Sequence, residues 1–224
     1  MIKKYEIKKR ILLSFDLDFT LIDNRTGIIE SFNHALGEFN EPQIDNNEIE
    51  GMIGLPLEEM FSRVTDIEPS TLASAFRRYY GTIGIYKASI LPGVIEKLED
   101  FKSRNYKMGI ITSKKEEMAK KIVEILEISQ YFDYILGETE DRKHLGKLDP
   151  ELKHILSKNY PHYQIIVIGD HPKDVLLSNN MNCPFIGVLT GIHSATELGI
   201  YKSNKIVIIN SVKDLTPEII ESIL

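Results

Sequence analysis

The chain is 224 residues long, 42% hydrophobic and 27% charged, with a formal net charge of −6. That balance excludes a disordered chain, and the length allows one large domain or one domain carrying a smaller insert. A single cysteine, Cys183, excludes an internal disulfide framework and a cysteine-rich zinc site. The acidic excess argues against nucleic acid as a partner. No apolar run approaches the ~18 residues of a membrane span. The basic stretch of Lys3, Lys4, Lys8, Lys9 and Arg10 leads only into the short run Ile11–Phe15, too brief for a signal peptide. It reads as a solvated lead-in, with the chain in the cytoplasm and away from membranes.

Short apolar runs then recur: Ile11–Phe15, Met108–Thr112, Tyr134–Leu136, Ile165–Ile168, Phe185–Val188 and Ile206–Ile209. Their length and content suit strands buried on both faces, the habit of parallel sheets. Helical patterns lie between most of them. Ser113-Lys114-Lys115-Glu116 has the form of a capping box opening a helix to about Leu126. Asp149-Pro150 and Thr216-Pro217 each combine an N-cap with proline at the first helical position. Alternating strands and helices predict a three-layer α/β fold around a parallel sheet.

One interval breaks the alternation. Between Asp23 and about Ile90 there is no convincing buried strand, only helical stretches near Ile28–Phe39, Leu55–Val64 and Thr71–Tyr80. This block is too long for a single crossover helix and predicts an all-helical subdomain over 23–90. It would be inserted into a core made of 1–22 and 91–224. Leu91-Pro92-Gly93 supplies the turn by which the chain re-enters the core.

Chemistry-bearing residues gather where strands are expected to end, the side on which open α/β sheets bind ligands. The first strand runs into Asp16-Leu17-Asp18-Phe19-Thr20. The second ends in Thr112-Ser113, at an expected helix start that favours anions. The strand Ile165–Ile168 ends in Gly169-Asp170-His171-Pro172-Lys173-Asp174, and Lys147 precedes the Asp149-Pro150 helix start. Together these offer carboxylates for a hard cation, hydroxyls and a lysine for phosphate oxygens, and a carboxylate nucleophile.

In these motifs the sequence resembles the haloacid dehalogenase-like hydrolases over essentially its whole length. The resemblance rests on Asp16-x-Asp18-x-Thr20, Thr112, Lys147 and Gly169-Asp170-x-x-x-Asp174, in that order. Gly51-Met52-Ile53-Gly54-Leu55-Pro56-Leu57 and Leu91-Pro92-Gly93-Val94 resemble signatures of phosphoglycolate-phosphatase-like members with a small helical cap. It implies a Rossmann-like core and a Mg²⁺-dependent phosphatase, monomeric or homodimeric, acting on a small phosphorylated molecule. By the same resemblance Asp16 is the nucleophile, forming an aspartyl phosphate, and Asp18 is the general acid and base. Thr112, Ser113 and Lys147 bind the phosphoryl group. Asp16, Asp18 (through its backbone carbonyl), Asp170 and Asp174 serve the metal.

Three positions depart from the family pattern. Phe19 stands where glycine is usual, Leu148 follows Lys147 where proline is common, and His171 replaces a small polar residue. Arg142 and Lys143 are rivals of Lys147 for its role. Phosphoglycolate is the leading substrate by resemblance. Pyrophosphate, nucleotides and sugar phosphates are alternatives, as is a phosphoglucomutase reaction. From another class come a phospho-accepting signalling module and a non-catalytic phosphate binder. Arg25, His34, Arg63, Arg77 and Arg78 are the cap side chains able to meet an acidic substrate.

Overall fold

The structure, a computed structural model, describes residues 10–141, 146–201 and 205–224. In chain order its strands and α-helices are β1 (Arg10–Phe15), β2 (Ile22–Asp23), α1 (Arg25–Glu38), α2 (Asn46–Met52), α3 (Leu57–Ser62), α4 (Pro69–Thr82) and β3 (Ser89–Ile90). There follow α5 (Val94–Ser103), β4 (Lys107–Lys115), α6 (Glu116–Ile125), β5 (Tyr134–Glu138), α7 (Pro150–Asn159) and β6 (Tyr163–Gly169). The last are α8 (Pro172–Met181), β7 (Phe185–Val188), α9 (Ala195–Ile200), β8 (Ile206–Ile209) and α10 (Pro217–Ile223). Among the described residues no helix is long and apolar enough to cross a membrane.

The main sheet is parallel, in the order β5-β4-β1-β6-β7-β8. The chain builds outward from β1 through β4 to β5, then returns to β6 on the other flank of β1 and continues to β7 and β8. The direction of winding therefore reverses between β1 and β6, and a crevice opens at the carboxyl ends of these two strands. Alternation along β1 sorts its side chains into two layers. Ile11, Leu13 and Phe15 join the cluster of Leu98, Phe101, Ile122 and Ile220, from α5, α6 and α10. Leu12 faces the opposite way, with Leu152, Leu156, Val175 and Leu198 from α7, α8 and α9. This is the three-layer α/β core expected from the six apolar runs, each of which lies in a strand of the sheet.

The helices α1 to α4 occupy the interval between β2 and β3. Their own packing centres on Phe32 and Phe61, whose rings stack with centroids 4.2 Å apart, and it is continuous with the first core cluster. β2 and β3 pair antiparallel through Ile22↔Ile90 and Asp23↔Ser89. With two residues each, they carry no periodicity that a sequence could reveal, and the expectation of no strand before Ile90 misses this clasp. The short helix α2 was likewise not anticipated. The Asp149-Pro150 and Thr216-Pro217 starts are as expected: Asp149 accepts from the Glu151 N–H at 2.9 Å and Thr216 from the Ile219 N–H at 3.3 Å.

The capping box at Ser113 is a correction. The strand continues to Lys115, which pairs with Glu138 of β5 after a register shift, so the backbone stays extended. Thr112 Oγ1 accepts from the Lys114 N–H at 3.2 Å. Glu116 accepts from the Gly137 N–H at 3.3 Å instead of reaching back to Ser113. Helix α6 opens only at Glu116, with Lys115 as N-cap.

Candidate active site

Asp16, Asp18, Thr112, Ser113, Lys147 and Asp170 all line one cavity of about 90 Å³ at the carboxyl edge of the sheet. Phe19, Ile53, Gly54 and Ile192 complete its apolar walls, Ile53 and Gly54 coming from the loop after α2. The other predicted residue, Asp174, lies beneath the cavity, fully buried in the first turn of α8. Arg142 and Lys143 lie outside the described residues.

The chain turns sharply as it leaves β1. Leu17 C=O accepts from the N–H groups of Leu21 and Ile22, and the Phe19 N–H donates to Ile22 C=O at 2.8 Å. This loop places Phe19 at φ 58, in the left-handed region. A bulky side chain there carries a backbone strain of about 1–2 kcal/mol, which explains why glycine suits the position. The strain is offset by burial: the Phe19 ring is 6% exposed, Arg25 lies 5.0 Å over it, and Thr190 Oγ1 donates to its carbonyl.

Lys147 is the hub of the buried charges. Its ammonium lies 2.7 Å from Asp16 Oδ1 and 2.6 Å from Asp174 Oδ1. Asp16 also accepts from the Leu17 N–H at 2.7 Å, and Asp174 from the His171 N–H at 3.1 Å. Thr20 Oγ1 donates to Asp170 Oδ1 at 2.8 Å. Two glycines permit this density. A Cβ on Gly169 would meet the Asp174 carboxylate at 2.3 Å, and one on Gly191 would meet Asp170 Oδ2 at 2.0 Å.

Asp16, Asp170 and Asp174 offer oxygens within 4.8 Å of one another, all buried. One lysine does not neutralise three carboxylates. Burial foremost, with Asp174 adding to it against the pull of Lys147, raises Asp16 to about 6. Burial, then Asp16 and Asp174, pushes Asp170 well above the ordinary carboxylate range. A site of oxygen donors in which Asp16 and Asp170 are held uncomfortably as anions fits a hard divalent cation.

Asp18 stands apart from that cluster. Its Oδ1 accepts from Asn24 Nδ2 at 2.8 Å and its Oδ2 faces Lys114 Nζ at 3.2 Å. Burial raises its pKa while Lys114 works against the rise. Thr112 is buried and Ser113 exposed at the cavity mouth. His171, pushed down to about 3 by burial and then by His193 and nearby lysines, is a neutral ring. Its Nδ1 caps α8 by accepting from the Lys173 N–H at 3.0 Å.

The five cations expected to meet a substrate from the helical block are committed elsewhere. Arg63 pairs with Glu59, Arg77 with Glu58 and Arg78 with Glu38, and His34 stacks on Tyr79. Arg25 pairs with Asp23 and Glu50 and donates to Thr190 C=O at 3.0 Å, tying α1 to the loop after β7. None of the five lines the cavity. Sequence reasoning missed Lys114, which it placed only as one residue of the expected capping box. It also missed Tyr80, which covers Lys114, and Asn24, which joins Tyr80 to Asp18.

The profile of the family described as Haloacid dehalogenase-like hydrolase matches residues 13–188. A relative in Dickeya dadantii, named "Probable phosphatase IndB", is 31% identical over 199 residues, covering 84% of each chain. A 5'-nucleotidase of Pseudomonas aeruginosa is 30% identical, covering 82% of this chain and 85% of its own. Among solved structures, a haloacid dehalogenase-like family hydrolase from Streptococcus pneumoniae superposes with a TM-score of 0.78. It is 29% identical, over 88% of this chain and 93% of its own.

Proposed function

The chain is a phosphatase and belongs to the haloacid dehalogenase-like hydrolases, and from that premise we propose that it hydrolyses a compact phosphate monoester through an aspartyl-phosphate intermediate on Asp16. The observation that carries this reading is the gathering of Asp16, Asp18, Thr112, Lys147 and Asp170 around one cavity at the sheet's switch point. Asp16 is the nucleophile: its carboxylate is fixed by Lys147 and the Leu17 N–H at the end of the central strand. Its attack on phosphorus splits one hard displacement into two easier ones. Asp18 gives a proton to the departing oxygen and then takes one from the water that cleaves the acyl phosphate.

Thr112, Ser113 and Lys147 bind the phosphoryl oxygens by hydrogen bonds and charge. Asp16, Asp170 and Asp174, with the Asp18 carbonyl, would hold Mg²⁺. When bound, the ion screens the nucleophile from the anionic phosphate. Residues 23–90 act as a cap over the core of 1–22 and 91–224, excluding water from the site.

The cavity volume of about 90 Å³ supports a small leaving group. A phosphorylated hydroxy acid of phosphoglycolate size is the best fit, with inorganic pyrophosphate second on the same ground. A nucleoside requires the cap to open much further. Phosphate release from a metabolite panel, with and without Mg²⁺, is the test. Fast turnover of compact esters only with Mg²⁺ is expected; a preference for nucleotides would overturn the size argument.

A further inference from the structure

Lys114 follows Thr112 and Ser113 at the cavity edge, yet it does not line the cavity. Its side chain is 13% exposed and turns to Asp18, with Nζ 3.2 Å from Oδ2. From the other side it is covered by Tyr80 of α4, whose hydroxyl is 3.4 Å away and whose ring centroid is 4.9 Å away. The Tyr80 hydroxyl also accepts from Asn24 Nδ2 at 3.3 Å, and the same amide donates to Asp18 Oδ1 at 2.8 Å. Asp18, Asn24, Tyr80 and Lys114 thus form a closed ring. Asp18 and Lys114 belong to the α/β core, Tyr80 to the helical insert, and Asn24 to the junction between β2 and α1.

Two features of the ring point to a task beyond folding. Both oxygens of Asp18 are held, one by each neighbour, so rotation of the carboxylate breaks both contacts at once. Asn24 is fully buried, and its Oδ1 has no hydrogen-bond partner. The Asn24 amide nitrogen donates to both Asp18 and Tyr80, so it ties the carboxylate directly to α4.

We propose that Tyr80 and Lys114 are positioning residues for Asp18, so that seating of α4 on the core fixes the acid–base carboxylate at the departing oxygen. The inference rests on the acid–base reading of Asp18 given above. Neither residue touches substrate; each acts through the carboxylate. When the insert lifts, Tyr80 leaves and Lys114 loses its outer support. The proton that Asp18 carries to the leaving oxygen is then delivered from a carboxyl group free to turn away. Catalysis is in this way confined to the closed arrangement, where water is excluded.

The test compares kcat/KM for glycerol phosphate, a poor leaving group that needs a proton, with p-nitrophenyl phosphate, which leaves readily without one. Tyr80→Phe removes the hydroxyl and keeps the ring that stacks on Phe76 at 5.5 Å. It should lose about 5–10-fold on glycerol phosphate and less than about twofold on p-nitrophenyl phosphate. Lys114→Met should show the same asymmetry, more strongly. Lys114→Arg should recover part of the loss and stands in if the Met variant does not fold. Combined with Asp18→Asn, Tyr80→Phe should add nothing further, since it acts through the missing carboxylate.

Equal losses on the two substrates in Tyr80→Phe and in the lysine variants, with Asp18→Asn alone discriminating between them, would overturn the positioning role and leave the acid–base reading intact. If Asp18→Asn itself fails to discriminate, that reading falls and takes this proposal with it.

Discussion

Asp16 and Asp18 are separated by one residue, yet they sit in two different kinds of surroundings. Asp16 is held wholly by the α/β core, by Lys147 from the turn before α7 and by its own strand-end N–H neighbour. Asp170 and Asp174 crowd beside it. Asp18 is held across the seam, by Lys114 of the core, by Asn24 at the junction and, one contact further, by Tyr80 of the insert. Each carboxylate has its lysine, but Lys147 serves two carboxylates and Lys114 one. The first arrangement leaves an excess of buried negative charge that suits a cation. The second is nearly balanced and reaches the insert through Tyr80. On the proposed roles, attack falls to a carboxylate held within the core, and proton transfer to one held at the seam with the insert.

The sharpest way to break this division is Asp16→Asn, which preserves shape and removes the attacking charge. Turnover should fall by at least about 10³-fold, measured as phosphate release on purified protein. Retention of several per cent of activity would place the nucleophile elsewhere. Next comes Lys147→Met. Removing one partner from a buried charge cluster costs about 3–5 kcal/mol, and turnover should drop about 10²-fold with it. Thermal melts with and without Mg²⁺ check the cause: added metal should recover part of the lost stability. In contrast, Lys114→Met should show little change in metal-dependent stabilisation, because Lys114 stands outside the three-carboxylate cluster.

A third prediction uses pH. In the metal-free protein burial pushes Asp16 up to about 6 from its ordinary 3.8, so between these values the folded form retains a proton that the unfolded chain has already released. The contribution of Asp16 to stability therefore falls as pH rises between these two values. Bound Mg²⁺ removes this penalty, so the rise in Tm on adding metal should be larger at about pH 7 than at about pH 5. Differential scanning calorimetry in both buffers measures it. An equal rise at both would show that Asp16 does not ligate the ion.

The smallest effect is expected at Phe19. Glycine there relieves the left-handed strain but forfeits a buried ring, for a net loss of about 2–4 kcal/mol. Because the ring lines the cavity, the substrate ranking should also shift towards bulkier esters. A destabilised protein with an unchanged ranking would assign Phe19 to packing alone.

Much of this was legible in the chain itself, for identifiable reasons. The six strands are short buried runs whose apolar content is dictated by helices on both faces, so the pattern survives in the sequence. Thr112 ends such a run and Asp16, Asp18 and Asp170 follow closely after others, so their convergence follows from strand order. The clasp of β2 and β3 was not legible, because two-residue strands have no period. Lys114 was misread because Ser-x-x-Glu fits a capping box, whereas pairing of Lys115 with Glu138 keeps the segment extended. The link from Tyr80 to Asp18 joins positions 62 residues apart through an intervening lysine and amide, a relation set by tertiary packing alone.

The central claim, that Asp16 carries the phosphoryl group between substrate and water, is tested most directly by trapping it. Enzyme in excess is mixed with radiolabelled phosphate ester and Mg²⁺, quenched in acid within the first turnover, and digested for peptide mapping. Phosphate should appear covalently on the peptide bearing Asp16, vanish on alkaline treatment as an acyl phosphate does, and be missing from Asp16→Asn. Stoichiometric product with no label on the protein at any quench time, or label on another residue, would contradict the account.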